Sequence, residues 1–300
     1  MHPTPELGAG KRAERRLAFW LCAPAVLVML AVAAWPIIYS VWLSLQQYDL
    51  RFPEEREFVG LTNYVAVLGN RYWWTAFGVT MLITVAQVAI GFVLGMVLAL
   101  IMHKAVIGRA VVRTAALVPY GIVTVVAAFS WYFAWHTDTG YLTRLLGPDA
   151  APLTDFWSAL VIIIGAEVWK TTPFMALLLL AGLALVPDDL LKAASVDGAN
   201  AWQRFTKVML PVMKPAILVA LLFRTLDAFR VFDSIFVLTG GQHDTASVSM
   251  LTYTNLLAGL NLGIGSAMSV LVFLTVAIIA FAFIKLFGTA APGSGRGAGR

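Results

Sequence analysis

Few ionisable residues of this chain lie deep in apolar sequence, and those that do are regularly spaced. Arg224, Asp227, Arg230 and Asp233 recur every three residues with alternating sign, and Glu167 and Lys170 stand three apart. On a helix such steps turn direction by about 60° and climb about 4.5 Å, so neighbours of opposite sign can reach one another. Two kinds of chemistry are open to these groups. They can pair to hold helices together, or they can exchange charge-assisted hydrogen bonds with a hydroxylated ligand in a hydrated cavity. Both readings stand at this point, and Asp227, Arg230 and Asp233 are the first candidates for ligand contact, with Glu167 and Lys170 beside them. Trp131 and Trp169 are further candidates, offering ring faces to the same ligand or serving as packing. Pro173 is expected to bend the segment that carries Glu167 and to free the carbonyl of Trp169.

Other chemistry is missing. No Gly-x-x-x-x-Gly-Lys-Ser/Thr run occurs, so this chain has no P-loop to cradle ATP phosphates. The histidines His2, His103, His136 and His243 are scattered, and no His, Glu or Cys cluster has metal-ligand spacing. The single cysteine, Cys22, excludes an internal disulfide framework and a Cys-based metal site. Bulky Phe19, Trp20 and Leu21 before it make a poor lipidation context. No catalytic residue and no metal site are expected.

The elements that must position these groups are written in the composition. The chain is 300 residues long, 60% hydrophobic and only 12% charged, with a mean hydropathy of +0.83. A soluble globular chain carries about 25% charged residues. The apolar residues form long blocks at 17–45, 76–102, 111–135, 157–186, 212–238 and 263–288. Each is long enough to cross a hydrocarbon core of about 30 Å as a helix. The first block follows a basic stretch, Lys11 to Arg16, but it is about twice the length of a signal-peptide core and has no clean cleavage site, so it reads as a retained helix. The expectation is an all-α membrane protein with six transmembrane helices: a tail at 1–16, a membrane domain at 17–288 and a disordered tail at 289–300.

Charge sets the orientation. With six alternating spans and the N-terminus inside, one side holds Lys11, Arg12, Arg15, Arg16, Lys104, Arg109, Arg113, Lys192, Arg204, Lys207, Lys214, Lys285, Arg296 and Arg300. The other holds Arg51, Arg56, Arg71 and Arg144. This bias places both termini in the cytoplasm. It also accounts for the net charge of +5 without a nucleic-acid partner. The outer loops fall at about 46–75, 136–156 and 239–262. Aromatic runs at 72–74 and 131–135 suit an interfacial belt.

The longest inner segment spans 187–215. Pro187-Asp188-Asp189 supplies turn and capping chemistry, Gly198 permits a positive φ, and Trp202, Phe205, Val208 and Met209 recur at helical spacing. Two short amphipathic helices joined at Asp197-Gly198 are expected, lying as an elbow on the cytoplasmic face, with Pro211 and Pro215 closing it and restarting a membrane helix. The run Lys192-Ala193-Ala194-Ser195-Val196-Asp197-Gly198-Ala199, followed by Phe205, Leu210 and Pro211, resembles the EAA loop of ABC-importer permeases. Lys192 stands where that family usually has Glu.

Phe58-Val59-Gly60-Leu61-Thr62-Asn63-Tyr64 and Leu238-Thr239-Gly240-Gly241-Gln242 are similar to outer signatures of the maltose-type carbohydrate permeases, with Gln242 in place of a Pro. The resemblance covers about 17–288. It implies a type I ABC-importer permease fold with a coupling helix at 187–211. Ala193, Ala194, Asp197, Gly198, Ala199, Phe205, Leu210 and Pro211 would dock a cytoplasmic ATPase dimer. ATP and Mg would bind on that partner, with no cofactor on this chain. A second homologous permease subunit, an extracytoplasmic sugar-binding lipoprotein and membrane lipid complete the implied partners. The implied location is the bacterial inner membrane and the implied cargo a sugar, trehalose first, with another disaccharide, a maltodextrin or a glycerol phosphoester left open. The buried Asp227 and Asp233 leave a second class open, an ion-gradient-driven secondary carrier, although such a carrier has no need of the elbow.

The charge bias generates a test. In a Cys22→Ala background, cysteines introduced by Lys104→Cys and Lys207→Cys react with an impermeant thiol reagent only from the cytoplasmic side, and those from Arg56→Cys and Arg144→Cys only from outside. Outside labelling at 207 overturns the orientation.

Overall fold

The computed structural model describes residues 7–104, 109–147 and 149–287. The first six residues of the expected N-terminal tail and the whole of the expected C-terminal tail lie outside the described residues. The chain is built from α1 (Leu7–Ser44), α2 (Thr62–Leu68), α3 (Arg71–Lys104), α4 (Arg109–Gly121), α5 (Thr124–Trp135) and α6 (Phe156–Leu183), then α7 (Asp188–Val196), α8 (Ala201–Arg204), α9 (Leu210–Ala228), α10 (Asp233–Leu238), α11 (Val248–Tyr253) and α12 (Leu262–Phe287). Five stretches are long and apolar enough to cross a membrane: Arg16–Ser44, Arg71–Lys104, Phe156–Leu183, Ala201–Leu238 and Leu262–Lys285. The sixth expected span, 111–135, is not one helix. It breaks after Gly121, and its halves are bent by 89°. Pro119 and Gly121 weaken the helix there, and the β-branched run Ile122-Val123-Thr124-Val125-Val126 follows at once.

Two compact units make up the described chain. The first holds residues 7–67 and 255–270. Its outer loop contains a small antiparallel sheet, β1 (Gln46–Gln47) with β2 (Glu57–Phe58), where sequence reading expected only loop. The buried Asn63 amide donates to the carbonyls of Ser44 at 2.9 Å and Gln46 at 2.8 Å, and the Tyr64 and Ser44 hydroxyls meet at 2.6 Å. The 58–64 signature therefore closes this hairpin by pairing backbone groups that burial would otherwise orphan. Backbone bonds from Leu50 to Leu260 and from Gly263 to Tyr48 tie in the 255–270 segment.

The second unit holds 68–254 and 271–287. Its centre is the crossing of α3 on α6, made close by small residues. Gly91 and Gly95 stand four apart on α3, and a methyl group at Gly95 would lie 2.7 Å from Met175 Cγ and 3.3 Å from the Ala176 nitrogen. Two apolar clusters flank the middle of this unit. One gathers Val79, Ile83, Leu160, Ile163 and Ile235, the other Met96, Met102, Met175, Leu179 and Met213. Asp155 caps α6 by accepting from the Ser158 N–H at 3.1 Å. That N–H and the Ser158 hydroxyl hold the Asp155 carboxyl below the usual carboxylate range. The bend expected at Pro173 does not break α6, which runs through it as one helix. Thr171 and Thr172 hydroxyls donate to the Glu167 and Val168 carbonyls one turn back.

The elbow forms where expected. Helix α7 ends at Asp197, Gly198 takes a φ of +81°, and α8 starts from Asn200. Asn200 and Gln203 cap each other's backbone N–H groups at 2.9 Å. Pro211 and Pro215 do not interrupt the chain as expected. A π-helical segment, Phe205–Met209, leads straight into α9, with the Leu210 N–H bonded back to the Phe205 carbonyl. Pro211 then falls in the first turn of α9, where a missing N–H is tolerated. The fifth block is also not continuous: α9 stops at Ala228, and α10 begins at Asp233.

The close α3–α6 crossing yields a prediction. Gly95→Val drives a branched side chain into Met175 and should destabilise the purified protein by about 1–3 kcal/mol, the usual cost of overpacking. Thermal unfolding in detergent measures it, and an unchanged midpoint refutes the tight crossing.

Candidate functional site

A cavity of about 600 Å³ opens in the second unit beside the break between α9 and α10. Glu167 and Lys170 reach it from α6, Asp227 from the last turn of α9, Arg230 from the break and Asp233 from the first turn of α10. Five of the six ionisable residues singled out from sequence, all but Arg224, are thus brought to one place. The two tryptophans are not. Trp131 and Trp169 lie outside the cavity lining, their rings 6.1 Å apart, and Trp131 packs on the apolar cluster around Ile163. The aromatic wall comes instead from Tyr120, Phe174, Phe223 and Phe232. Tyr120 and Phe174 stack with centroids 5.3 Å apart and planes 14° from parallel, and the Lys170 ammonium sits 5.7 Å from the Tyr120 ring. Tyr120 faces the cavity because α4 stops one residue after it, which the apolar pattern of 111–135 did not signal.

The alternating ladder expected along span five survives at one step only. Arg224 Nη1 donates to Asp227 Oδ2 at 2.5 Å, within α9. Past Ala228 the helical register is lost, so Arg230 and Asp233 no longer stack on that pair. Among the described residues neither side chain has a hydrogen-bond or ion-pair partner, and both face the cavity.

Arg224 itself is 1% exposed and stands behind the cavity wall. Its Nη2 donates to Gln87 Oε1 on α3 at 2.7 Å and lies 3.9 Å from Glu167 Oε2. The Ser234 hydroxyl donates to Glu167 Oε1. Gln87 Nε2 in turn donates to the Ala228 carbonyl at 3.3 Å, and the buried Ser247 hydroxyl donates to the Val231 carbonyl at 2.8 Å. Turn hydrogen bonds from the Phe229, Arg230 and Val231 N–H groups take the Thr225, Asp227 and Ala228 carbonyls, and the two side chains add to this at Ala228 and Val231, so these groups are satisfied where the helix breaks. Gln87, Ser234 and Ser247 escaped sequence reading because uncharged polar residues in apolar blocks are too common to stand out.

Mixed carboxylates, cations and aromatic faces around an unwound segment can orient a polar, ring-containing ligand. Among the described residues no group of three or more His, Cys, Asp or Glu is placed to hold a metal.

The second candidate surface is the elbow. Ala193, Asp197 and Gly198 are exposed, and Ala194 and Ala199 half-buried. Phe205 and Leu210 turn inward against the cluster around Met213, while Pro211 is exposed. The apolar face that the elbow leaves open belongs to other residues, chiefly Val196 at 87% and Trp202 at 70% exposure. Lys192 pairs with Asp189 at 3.2 Å, both exposed, a pair that contributes about 0–1 kcal/mol.

A protein-family model described as "Binding-protein-dependent transport system inner membrane component" matches residues 91–290. The chain is 64% identical over 283 residues to the trehalose transport system permease protein SugA of Mycobacterium tuberculosis, covering 94% of this chain and 92% of that one. It is 38% identical over 286 residues to the trehalose/maltose transport system permease protein MalF of Thermococcus litoralis, covering 92% and 95%. Among solved structures it superposes on a chain of a bacterial alginate ABC transporter, in complex with its alginate pentasaccharide-bound periplasmic protein, with a TM-score of 0.79. That match is 22% identical, covers 94% of this chain and 98% of the other, and speaks to the fold.

Proposed function

Since this chain belongs to the family of binding-protein-dependent transport system inner membrane components, we propose that it is one permease subunit of an ABC importer whose cargo is trehalose, bound in the cavity beside the α9–α10 break. The observation that carries the sugar reading is that cavity. Its volume of about 600 Å³ falls within the roughly 300–1,000 Å³ of small-molecule sites. Asp227 and Asp233 accept from sugar hydroxyls, Arg230 and Lys170 donate to them, and Tyr120 and Phe174 cover the apolar C–H face of a ring. The names of the two relatives support trehalose among sugars.

The chain performs no covalent chemistry. ATP and Mg bind on a separate cytoplasmic ATPase dimer, a second homologous permease subunit faces this one, and an extracytoplasmic binding protein delivers the sugar. The elbow is the ATPase-docking element. Asp197 and Gly198 set its corner, Ala193, Ala194 and Ala199 keep it slim, and exposed Val196 and Trp202 enter the partner's groove. Phe205, Leu210 and Pro211 join it to α9, whose far end carries Asp227 into the cavity. Closure of the ATPase dimer thus reaches the sugar site along one element, and alternating access follows.

Two measurements test this. Loss of a charge-assisted hydrogen bond costs about 1.5–3 kcal/mol, so Asp227→Asn should weaken trehalose uptake by about tenfold or more in an assembled complex. Normal uptake by a combined Asp227→Leu and Arg230→Met protein removes these residues from the sugar site. Separately, Gly198→Trp, at a φ that a side chain disfavours, and Asp197→Arg should leave the importer assembled but disconnect sugar-stimulated ATP hydrolysis from uptake. Survival of both activities in both variants rules out the docking role.

A further inference from the structure

We propose that Arg224 is a positioning residue that fixes two of the three cavity carboxylates, Asp227 and Asp233, on either side of the unwound segment 229–232. The inference rests on the reading of the cavity as the sugar site, and it assigns a role to a residue that does not line that cavity.

The geometry is that of one guanidinium shared among three elements, α9, α3 and α6, with α10 joined to it through Glu167. Nη1 holds one oxygen of Asp227 at 2.5 Å, yet the Asp227 side chain remains 67% exposed. One oxygen is thus anchored from behind, and the rest of the carboxylate is presented to the cavity. Nη2 binds Gln87 at 2.7 Å, and Gln87 also holds the Ala228 carbonyl, the last of α9. The same guanidinium lies 3.9 Å from Glu167, whose other oxygen accepts from Ser234, the residue next to Asp233 in the first turn of α10. Asp227 is therefore set directly, and Asp233 through Glu167 and Ser234.

A carboxylate at a helix end beside an unwound segment would otherwise sample several rotamers, and ordering it on sugar binding would cost affinity. Holding it beforehand removes that cost. The task needs a planar fork with several donors in fixed directions. Lysine offers a single charged point and cannot hold Asp227 and Gln87 at once with this geometry.

The experiment measures trehalose uptake by the complete importer in proteoliposomes, comparing Arg224→Lys, Ser234→Ala and Asp227→Asn. The expected result is a KM raised about tenfold by Arg224→Lys, corresponding to the loss of one charge-assisted hydrogen bond, and by a smaller factor of about threefold for Ser234→Ala, which loosens only the Asp233 arm. The maximal rate should change less than KM in both. A merely structural role would instead lower assembled yield and maximal rate together and leave KM in place. If Arg224→Lys does not assemble, Ser234→Ala decides: an unchanged KM overturns the proposal. A raised KM in Asp227→Asn with wild-type KM in the other two refutes positioning while the sugar site stands. An unchanged KM in Asp227→Asn as well refutes the sugar site and the positioning role together.

Discussion

A guanidinium at 1% exposure within an apolar helical bundle has to be neutralised and hydrogen-bonded where it stands, since a buried charge without partners costs several kcal/mol. That requirement organises the second unit. It explains a glutamine in the middle of an apolar helix, a glutamate on the neighbouring helix and an aspartate one turn further on. It also ties the end of α9 to α3, because Gln87 serves the arginine with its oxygen and the Ala228 carbonyl with its nitrogen. Asp227 and Glu167, two of the ionised groups that the cavity displays, are thus the outer edge of a network whose centre is hidden.

This polar layer is bounded by apolar packing on both sides. Along α3 the order is Val79 and Ile83, then Gln87, then Met96 and Met102. Along α6 it is Leu160 and Ile163, then Glu167 and Thr171, then Met175 and Leu179. Helix–helix contact in lipid gains little from hydrophobicity, so close approach at small residues such as Gly95 supplies much of the holding force. Behind the cavity wall, where Arg224 and Gln87 are fully buried, the low local dielectric strengthens the hydrogen bond between them.

How much of this could be read from the chain differs from element to element. Long apolar runs dictate helices wherever they occur, and the elbow corner followed from Gly198, whose positive φ is what a glycine after Asp197 permits. The charged residues of the cavity were legible because membrane charge is expensive enough to be rare. The breaks were not. Hydropathy counts how apolar a stretch is and is blind to whether its backbone stays wound, so 111–135 and 212–238 read as single spans although both are interrupted. Once the breaks are misplaced, so is every residue near them: Tyr120 is turned toward the cavity by the end of α4, whereas Trp131 and Trp169, on intact helix, pack against each other. Pro173 and Pro215, which looked like interruptions, lie inside continuous helices.

The π-helical segment at Phe205–Met209 has a mechanical consequence. Because it adds a residue to a turn without stopping the winding, the chain runs from the elbow into α9 without a break. Its residues Leu210–Ala228 span about 28 Å at about 1.5 Å per residue. A rod of that length pivoting by about 10° at its elbow end carries its tip about 5 Å, further than any hydrogen bond can stretch. The tip is where the Ala228 carbonyl meets Gln87 of α3, so a tilt of that size is large enough to part the two. The leverage is fixed by the length of the arm.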